Sequence, residues 1–267
     1  MGRLQGKVAF ITGAARGQGR AHAVRLAEEG ADIVAVDVLA DYDTVPYAMS
    51  TRADLDETIA LVEKAGRRIV AAQADVRSAA ELSAVLDAAV AELGGLHVVV
   101  ANAGICTAQS WDAVTPEVWR DTIDTNLTGV WNTMSAGIPH LLAAGGGSMI
   151  AVSSAAGLKG LPFYAPYVAA KHGVVGIARS LANELGGRGI RVNTVHPAGV
   201  RTDMSAGLQM GPLLEQNPLL GPIFMNSLPA EFVEPEDVSD AVAFLASDDS
   251  KFVTGLAMTV DCGNTIR

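Results

Sequence analysis

The residues best suited to chemistry begin with Tyr167 and Lys171, four positions apart in the stretch PYVAAKHGVVGIARSLANEL. That stretch has the 3.6-residue period of an amphipathic helix. A separation of four puts two helical side chains on one face, one above the other. A free phenol, with a pKa of about 10, is a poor base at neutral pH. An ammonium beside it favours the phenolate and lowers that pKa, so the tyrosine could exchange a proton with a substrate oxygen. The same spacing also describes a surface tyrosine beside a solvated lysine, and the pair alone does not separate the two readings.

A second group is Gly13-Ala14-Ala15-Arg16-Gly17-Gln18-Gly19. It follows KVAFIT, a short β-branched and aromatic run that reads as a buried strand, and leads into RAHAVRLAEEG, a helix ended by Gly30. ADIVAVD then forms a second buried strand ending at Asp37. Strand, glycine turn, helix, strand and acid in that order is the context of a dinucleotide site. Glycines let the backbone approach a pyrophosphate, and the helix N-terminus offers free N–H groups and the positive end of a dipole. Asp37 could accept both hydroxyls of an adenosine ribose. A 2'-phosphate there would meet a like charge, which favours NAD over NADP. Arg16 is the counter-signal, either a phosphate partner or a solvated surface charge.

The elements that must position these groups alternate along the chain. RRIVAAQADV reads as a strand ending at Asp75-Val76, LHVVVANAG as one that leaves through Asn102-Ala103-Gly104, and GSMIAVSSAAG as one ending at Ser153-Ser154. RGIRVNTVHPAGV ends at Pro197, and GLAMTVDCG is the last strand. Between them lie the helical patterns SAAELSAVLDAAVAELGG, EPEDVSDAVAFLAS and a long one from TPEVW to LLAAGGG. The long helix starts at a Thr cap with Pro116 at its first position. Asn126 falls inside it, and asparagine is a mediocre helix former, so a reason for it is to be sought. The alternation predicts an α/β fold with helices on both faces of a parallel sheet, a Rossmann-type doubly wound single domain over 1–267. The glycine turn, Asn-Ala-Gly, Ser-Ser and His-Pro-Ala-Gly all fall at strand C-termini, the sheet edge at which such folds bind ligands.

Two segments break the rhythm. Val38 to Asp54 is far longer than the usual loop of about 2–6 residues and contains Tyr42, Pro46, Tyr47 and Met49. It is either a cover for the adenosine end of the cofactor or a surface insertion. Residues 204 to 232, rich in Leu, Met, Pro and Phe, are either an apolar lid over a hydrophobic substrate or an interface segment.

Composition sets the limits. Hydrophobic residues make up 49% of the chain and charged residues 18%, enough apolar material for a buried core. The net charge of -10 argues against nucleic acid as a partner. No apolar run approaches the roughly 20 residues of a membrane span. The N-terminus lacks a secretory pattern, and Gly6 stands where a myristoylation signal needs Ser or Thr. Cys106 and Cys262 provide neither a disulfide framework nor a metal cluster, so a reducing, cytoplasmic setting is expected. Cys106 either lines the pocket or is an inert small hydrophobe. His172 and His196 flank the site without a metal ligand set and are read as structural.

In order and over nearly the whole chain, these motifs resemble the short-chain dehydrogenase/reductase family. TGAARGQG is similar to its cofactor turn, with Gly13, Arg16, Gly17, Gln18 and Gly19 at the cofactor. The resemblance implies Asp75-Val76 as the adenine contact and Asn102-Ala103-Gly104 as the central strand motif. It implies Asn126, Ser154, Tyr167 and Lys171 as a catalytic tetrad. Ser154 matches the family's spacing to the tyrosine better than Ser153. Pro197-Ala198-Gly199, Val200 and Thr202 resemble the segment that holds the nicotinamide carboxamide. Ala101 is a departure, since many relatives have a second Asn there. The loop after Asp37 and the start MGRLQGKVAFITGAARGQG further resemble a carveol-dehydrogenase-like, mycofactocin-associated subgroup.

That resemblance implies tightly held NAD, with electrons leaving to a dedicated redox carrier. Tyr167 would take the proton of a secondary alcohol while Lys171 steadies the phenolate and holds the nicotinamide ribose. Ser154 would hydrogen-bond the substrate oxygen, and Asn126 would hold a water linking Lys171 to solvent. A terpenoid or alicyclic alcohol and its ketone are the expected substrates, and a homotetramer the expected assembly. Two alternatives stay open: a freely exchanging ketone or 3-oxoacyl reductase, and a non-catalytic NAD-binding regulatory protein.

Overall fold

Strand β1 (Val8–Thr12) is buried at every position, because its odd and even side chains enter different cores. Val8 and Phe10 join one apolar cluster and Ala9 and Ile11 the other, as the two-residue period of a strand requires. The computed structural model describes residues 2–267. In it β2 (Asp32–Asp37), β3 (Ile69–Gln73), β4 (Val98–Ala101), β5 (Gly147–Val152), β6 (Ile190–Pro197) and β7 (Ala257–Val260) complete one seven-stranded sheet. All pairs are parallel and the order is β3-β2-β1-β4-β5-β6-β7. The order reverses between β1 and β4, so a crevice opens beyond the C-termini of those two strands. The doubly wound parallel α/β architecture expected from the alternation is the one observed.

One face of the sheet carries α1 (Gly17–Glu28), α2 (Arg52–Lys64) and α9 (Pro235–Ala246), which contribute Leu26, Leu55 and Val242 to one cluster. The other carries α3 (Ala79–Leu93), α5 (Gly129–Ala143) and α6 (Ala165–Leu185), with Leu86, Met134 and Val174 in the second cluster. No helix of the described residues is long and apolar enough to cross a membrane.

Several boundaries differ from expectation for local reasons. Helix α2 starts at Arg52, inside the stretch read as a loop as far as Asp54, because Thr51 caps it and forms a capping box with Asp54. Strand β3 stops at Gln73, opposite Asp37, which leaves Asp75-Val76 in the turn beyond. The long helix is not continuous: α4 (Pro116–Ile123) passes into a π turn, Asp124–Thr128, before α5. Asn126 lies in that turn, which supplies the reason for a poor helix former here, since π-bulges gather at functional sites. The segment after Thr202 folds into α7 (Asp203–Gly207), α8 (Met210–Gln216) and a 3₁₀ stretch, Pro218–Phe224.

Candidate active site

The crevice at the C-termini of β1 and β4 is built first by glycines. Gly13 and Gly17 adopt φ of 67° and 53°, in the left-handed region that favours glycine. A Cβ on Gly19 would lie 1.9 Å from the Gly13 carbonyl oxygen, and one on Gly13 would lie 2.8 Å from the Ala103 Cα. Asn102 fixes this contact by donating from Nδ2 to the carbonyls of Thr12, at 2.9 Å, and Gly13, at 3.2 Å. The N-terminus of α1 opens here, and its N-cap residue, Arg16, makes no side-chain capping bond. Free helical N–H groups at a glycine turn form an anion cradle. Gln18 lines the same groove with its Oε1 buried and unpaired among the described residues. An orphaned buried acceptor beside an uncapped helix start fits a groove shaped to hold a dinucleotide.

Asp37 lies buried at the far end of the groove. Its Oδ2 accepts from the Ala15 N–H at 2.9 Å and its Oδ1 from the Ser50 hydroxyl, which fixes the carboxylate while leaving lone pairs for a ribose. Val76, Ala103 and Gly104 line the groove as well. The Asp75 side chain turns instead to Arg77 at 2.6 Å, and Asp75 is not among the lining residues. Arg16 also lines the groove, but its guanidinium is engaged by Asp203 at 3.1 Å and by the Ala48 carbonyl.

Residues 38–51 cross this groove as a strap. Tyr42, Tyr47 and Met49 line it. Arg77 stacks 4.5 Å over the Tyr42 ring, and the Thr44 hydroxyl donates to Asp121 at 2.7 Å. Tyr47 Oη accepts from the Cys106 N–H at 3.1 Å. A Cβ on Gly207 would lie 2.5 Å from the Tyr47 Cβ, so the strap packs directly on α7.

Adjoining the groove is a second pocket, lined by Ser154, Tyr167, Pro197, Gly199 and Val200 and covered by residues of α7, α8 and the 3₁₀ stretch. Gln18, Thr202 and Met204 line both spaces. Ser154 stands at the exit of β5, where its Oγ accepts from the Ala156 N–H at 3.1 Å and lies 3.5 Å from the Pro197 carbonyl. Ser153 is turned inward to donate to the Lys171 carbonyl at 3.0 Å. Helix α6 sets Lys171 below Tyr167, its Nζ 5.5 Å from the ring centroid and donating to the Val152 carbonyl at 2.7 Å.

Gly104 admits two members of the site at once: a Cβ there would be 3.1 Å from Asn126 Oδ1 and 3.7 Å from Lys171 Nζ. The Asn126 amide bonds both ends of Ile105, accepting from its N–H at 2.8 Å and donating to its carbonyl at 2.7 Å. One N–H and one oxygen lone pair remain for a water.

The electrostatics depart from the expectation that the ammonium would lower the phenol. Burial pushes the Tyr167 phenol well above its usual range, and buried Cys106 acts in the same direction, against a hydrogen bond with Ser154. Burial also pulls the Lys171 ammonium down to about 8. Both shifts disfavour the charged forms, so the phenol stays protonated and the ammonium is lost more easily than usual as pH rises; positive charge placed beside them would favour the phenolate. Burial raises the Cys106 thiol to about 12, which keeps it an inert lining residue. His196, between the Ser154 carbonyl at 2.8 Å and the Thr194 hydroxyl at 2.6 Å, supports the Ser154 turn. No group of three side chains able to hold a metal occurs among the described residues.

Sequence reasoning missed Asp203, Ile105 and Glu231. Asp203 follows the singled-out Thr202 directly, but its pairing with Arg16 depends on how α7 folds back. Ile105 acts through backbone groups, which leave no trace in side-chain type. Glu231, which lines the second pocket, falls in the 204–232 segment, where the mainly apolar composition gives no sign of an acid at the wall.

The family model described as Enoyl-(Acyl carrier protein) reductase matches residues 13–265. A (-)-trans-carveol dehydrogenase of Rhodococcus erythropolis is 47% identical over the full length of both chains. A crystal structure of a short chain dehydrogenase from Mycobacterium paratuberculosis bound to NAD superimposes with a TM-score of 0.97 at 51% identity, covering 100% of both chains. That of carveol dehydrogenase from Mycobacterium avium in complex with NAD does so with a TM-score of 0.95 at 46% identity, again over 100% of both.

Proposed function

The chain belongs to the short-chain dehydrogenase/reductase family, and from that premise we propose that it interconverts a hydrophobic secondary alcohol and its ketone with tightly held NAD. The observation that carries this reading is the placement of Tyr167 and Ser154 in an apolar pocket that shares Gln18, Thr202 and Met204 with the dinucleotide groove. A substrate in the pocket thus lies next to a cofactor in the groove.

NAD supplies the hydride acceptor when bound. Gly13, Gly17 and Gly19 with the α1 N-terminus hold its pyrophosphate, and Asp37 holds the adenosine ribose. Val76 contacts the adenine, and Asp75, committed to Arg77, contributes through the turn it forms. Gly199 and Val200 in the pocket wall, with Thr202 at the junction of the two spaces, hold the nicotinamide end. Tyr167 takes the alcohol proton. Lys171 stabilises the phenolate and holds the nicotinamide ribose, and Ser154 donates to the substrate oxygen where charge develops. Asn126 fixes Ile105 and offers its remaining groups to a water beside Lys171.

Carveol-like terpenoid and alicyclic alcohols fit the pocket's Leu, Met and Phe walls, and the carveol dehydrogenase relative supports that choice. The strap over the groove supports slow NAD release and, with it, electron transfer to a dedicated redox carrier. Half-exposed Trp119 and Trp131, on α4 and α5, support assembly through that face into a homotetramer. The test compares turnover of carveol and cyclohexanol with free NAD and with an artificial electron acceptor. Turnover with the acceptor that exceeds turnover with free NAD supports carrier coupling. Equal rates favour an ordinary exchanging enzyme, and no turnover of any alcohol overturns the reading.

A further inference from the structure

We infer that Glu231 makes the substrate pocket select uncharged alcohols and reject substrates bearing a carboxylate or phosphate; the inference rests on the reading of this pocket as the alcohol site. Among the described residues the pocket wall contains no Lys or Arg, and Glu231 is its one charged member. Leu161, Leu208, Leu214 and Phe224 supply apolar wall, alongside neutral polar groups such as Ser205, Asn226 and Asn264. The neighbouring acid, Glu234, is neutralised by Arg201 at 2.9 Å. Glu231 forms no side-chain hydrogen bond or ion pair among the described residues, although Arg201 lies within reach of its charge; its backbone carbonyl accepts from Asn226 Nδ2 at 3.2 Å.

The cations around the pocket are already committed. Arg201 lies 5.4 Å over the Phe232 ring with its guanidinium on Glu234. Lys159 gives its ammonium to the Ile223 and Asn264 carbonyls at 2.8 and 2.7 Å. Lys171 donates to Val152. An anionic substrate would lose water on entering a space walled by apolar and neutral polar groups and gain no counter-ion there, which disfavours binding. It would also meet the charge of Glu231 at the pocket wall, on a chain of net charge -10. A neutral alcohol meets neither penalty.

The test uses a matched pair, cyclohexanol and trans-4-hydroxycyclohexanecarboxylate, with NAD-loaded protein. Both kcat/KM and the dissociation constant by calorimetry are measured for wild type, Glu231→Gln and Glu231→Lys. Glu231 is exposed, so both variants are expected to fold, and circular dichroism checks it. Wild type should bind the neutral compound at least about tenfold better, a factor worth ~1.4 kcal/mol. Gln should narrow that ratio, and Lys should close or invert it. A ratio that stays the same in all three proteins overturns the inference, as does wild type binding the acid as well as the alcohol. Charge discrimination in binding without turnover of either compound would overturn the alcohol-dehydrogenase reading and leave the role of Glu231 standing.

Discussion

Arg16 and Asp203 meet across the mouth of the dinucleotide groove, with guanidinium Nη1 3.1 Å from the carboxylate Oδ2. Because Arg16 also holds the Ala48 carbonyl, one residue of the glycine turn ties the strap over 38–51 to α7, which covers the second pocket. The strap and α7 are thereby mechanically joined, with Tyr47 against Gly207 as the second contact.

Loosening this closure should speed NAD release. The Asp203 side chain is 66% exposed, and an exposed ion pair is worth about 1 kcal/mol or less, so Asp203→Ala should accelerate release only a few-fold. Shortening the strap removes more. Covering on the order of 100 Å2 of apolar surface contributes roughly 2.5 kcal/mol, which would appear mainly as a dissociation rate some tens of times faster. Stopped-flow displacement of bound NAD measures both. Unchanged release from a folded strap deletion would reduce the segment to a surface insertion.

Cofactor choice should follow Asp37. With Arg16 engaged by Asp203 and Ala48, the fixed carboxylate of Asp37 dominates the ribose end of the groove. Wild type should bind NAD well ahead of NADP, and Asp37→Ser should narrow the gap by about tenfold or more, as expected for removal of a like charge at close range. Equal wild-type affinities in titration calorimetry would show that Arg16 leaves its partners to meet the 2'-phosphate.

Lys171 should cost stability in the cofactor-free protein. Its folded pKa is pulled from 10.5 down to about 8 by burial. Between those values the unfolded chain binds more protons than the folded one, so stability rises with pH through that window. Below it the penalty is fully present, and above it the penalty is gone. Lys171→Met should therefore raise stability at pH 7 by on the order of 1–3 kcal/mol and flatten the pH dependence between 8 and 10.5 while losing activity. Denaturant melts of both proteins across pH check this. Parallel curves would show that the ammonium is better solvated than its surroundings indicate.

Much of this arrangement was legible in the sequence, where function depends on residue type at a fixed local spacing. Tyr167 and Lys171 share a face because the helix period dictates it. The strand ends carrying Asp37, Asn102 and Ser154 gather on one edge because alternating β and α segments allow few other topologies. What stayed hidden was set by packing between distant segments. The phenol's environment could not be read from its lysine neighbour alone, since burial is the largest influence on it. Arg16 left open a phosphate or a solvent role because Asp203 lies far along the chain. The π turn at Asn126 showed only as a poor helix former in a helical pattern.

Assembly should involve the α4–α5 face, where Trp119 and Trp131 remain 45% and 47% exposed. A closed symmetric tetramer is predicted by analytical ultracentrifugation at micromolar concentration. Trp131→Glu, by placing an unpaired charge in the contact, should shift the protein to smaller species. A wild-type monomer would count against this assignment.

The central claim is that Tyr167 carries the proton in alcohol oxidation. The most direct measurement is single-turnover reduction of bound NAD by an alcohol the enzyme accepts, comparing wild type with Tyr167→Phe. The ring shape is kept and only the hydroxyl is lost, so NAD affinity should be unchanged. Wild type should react faster as pH rises, because burial holds the phenol protonated. Loss of a proton carrier typically costs about 10²–10⁴-fold, so the variant should fall below a few per cent of the wild-type rate at every pH. A variant that keeps NAD bound and retains more than ~10% of the rate, where that loss is expected, would show that another group is the base.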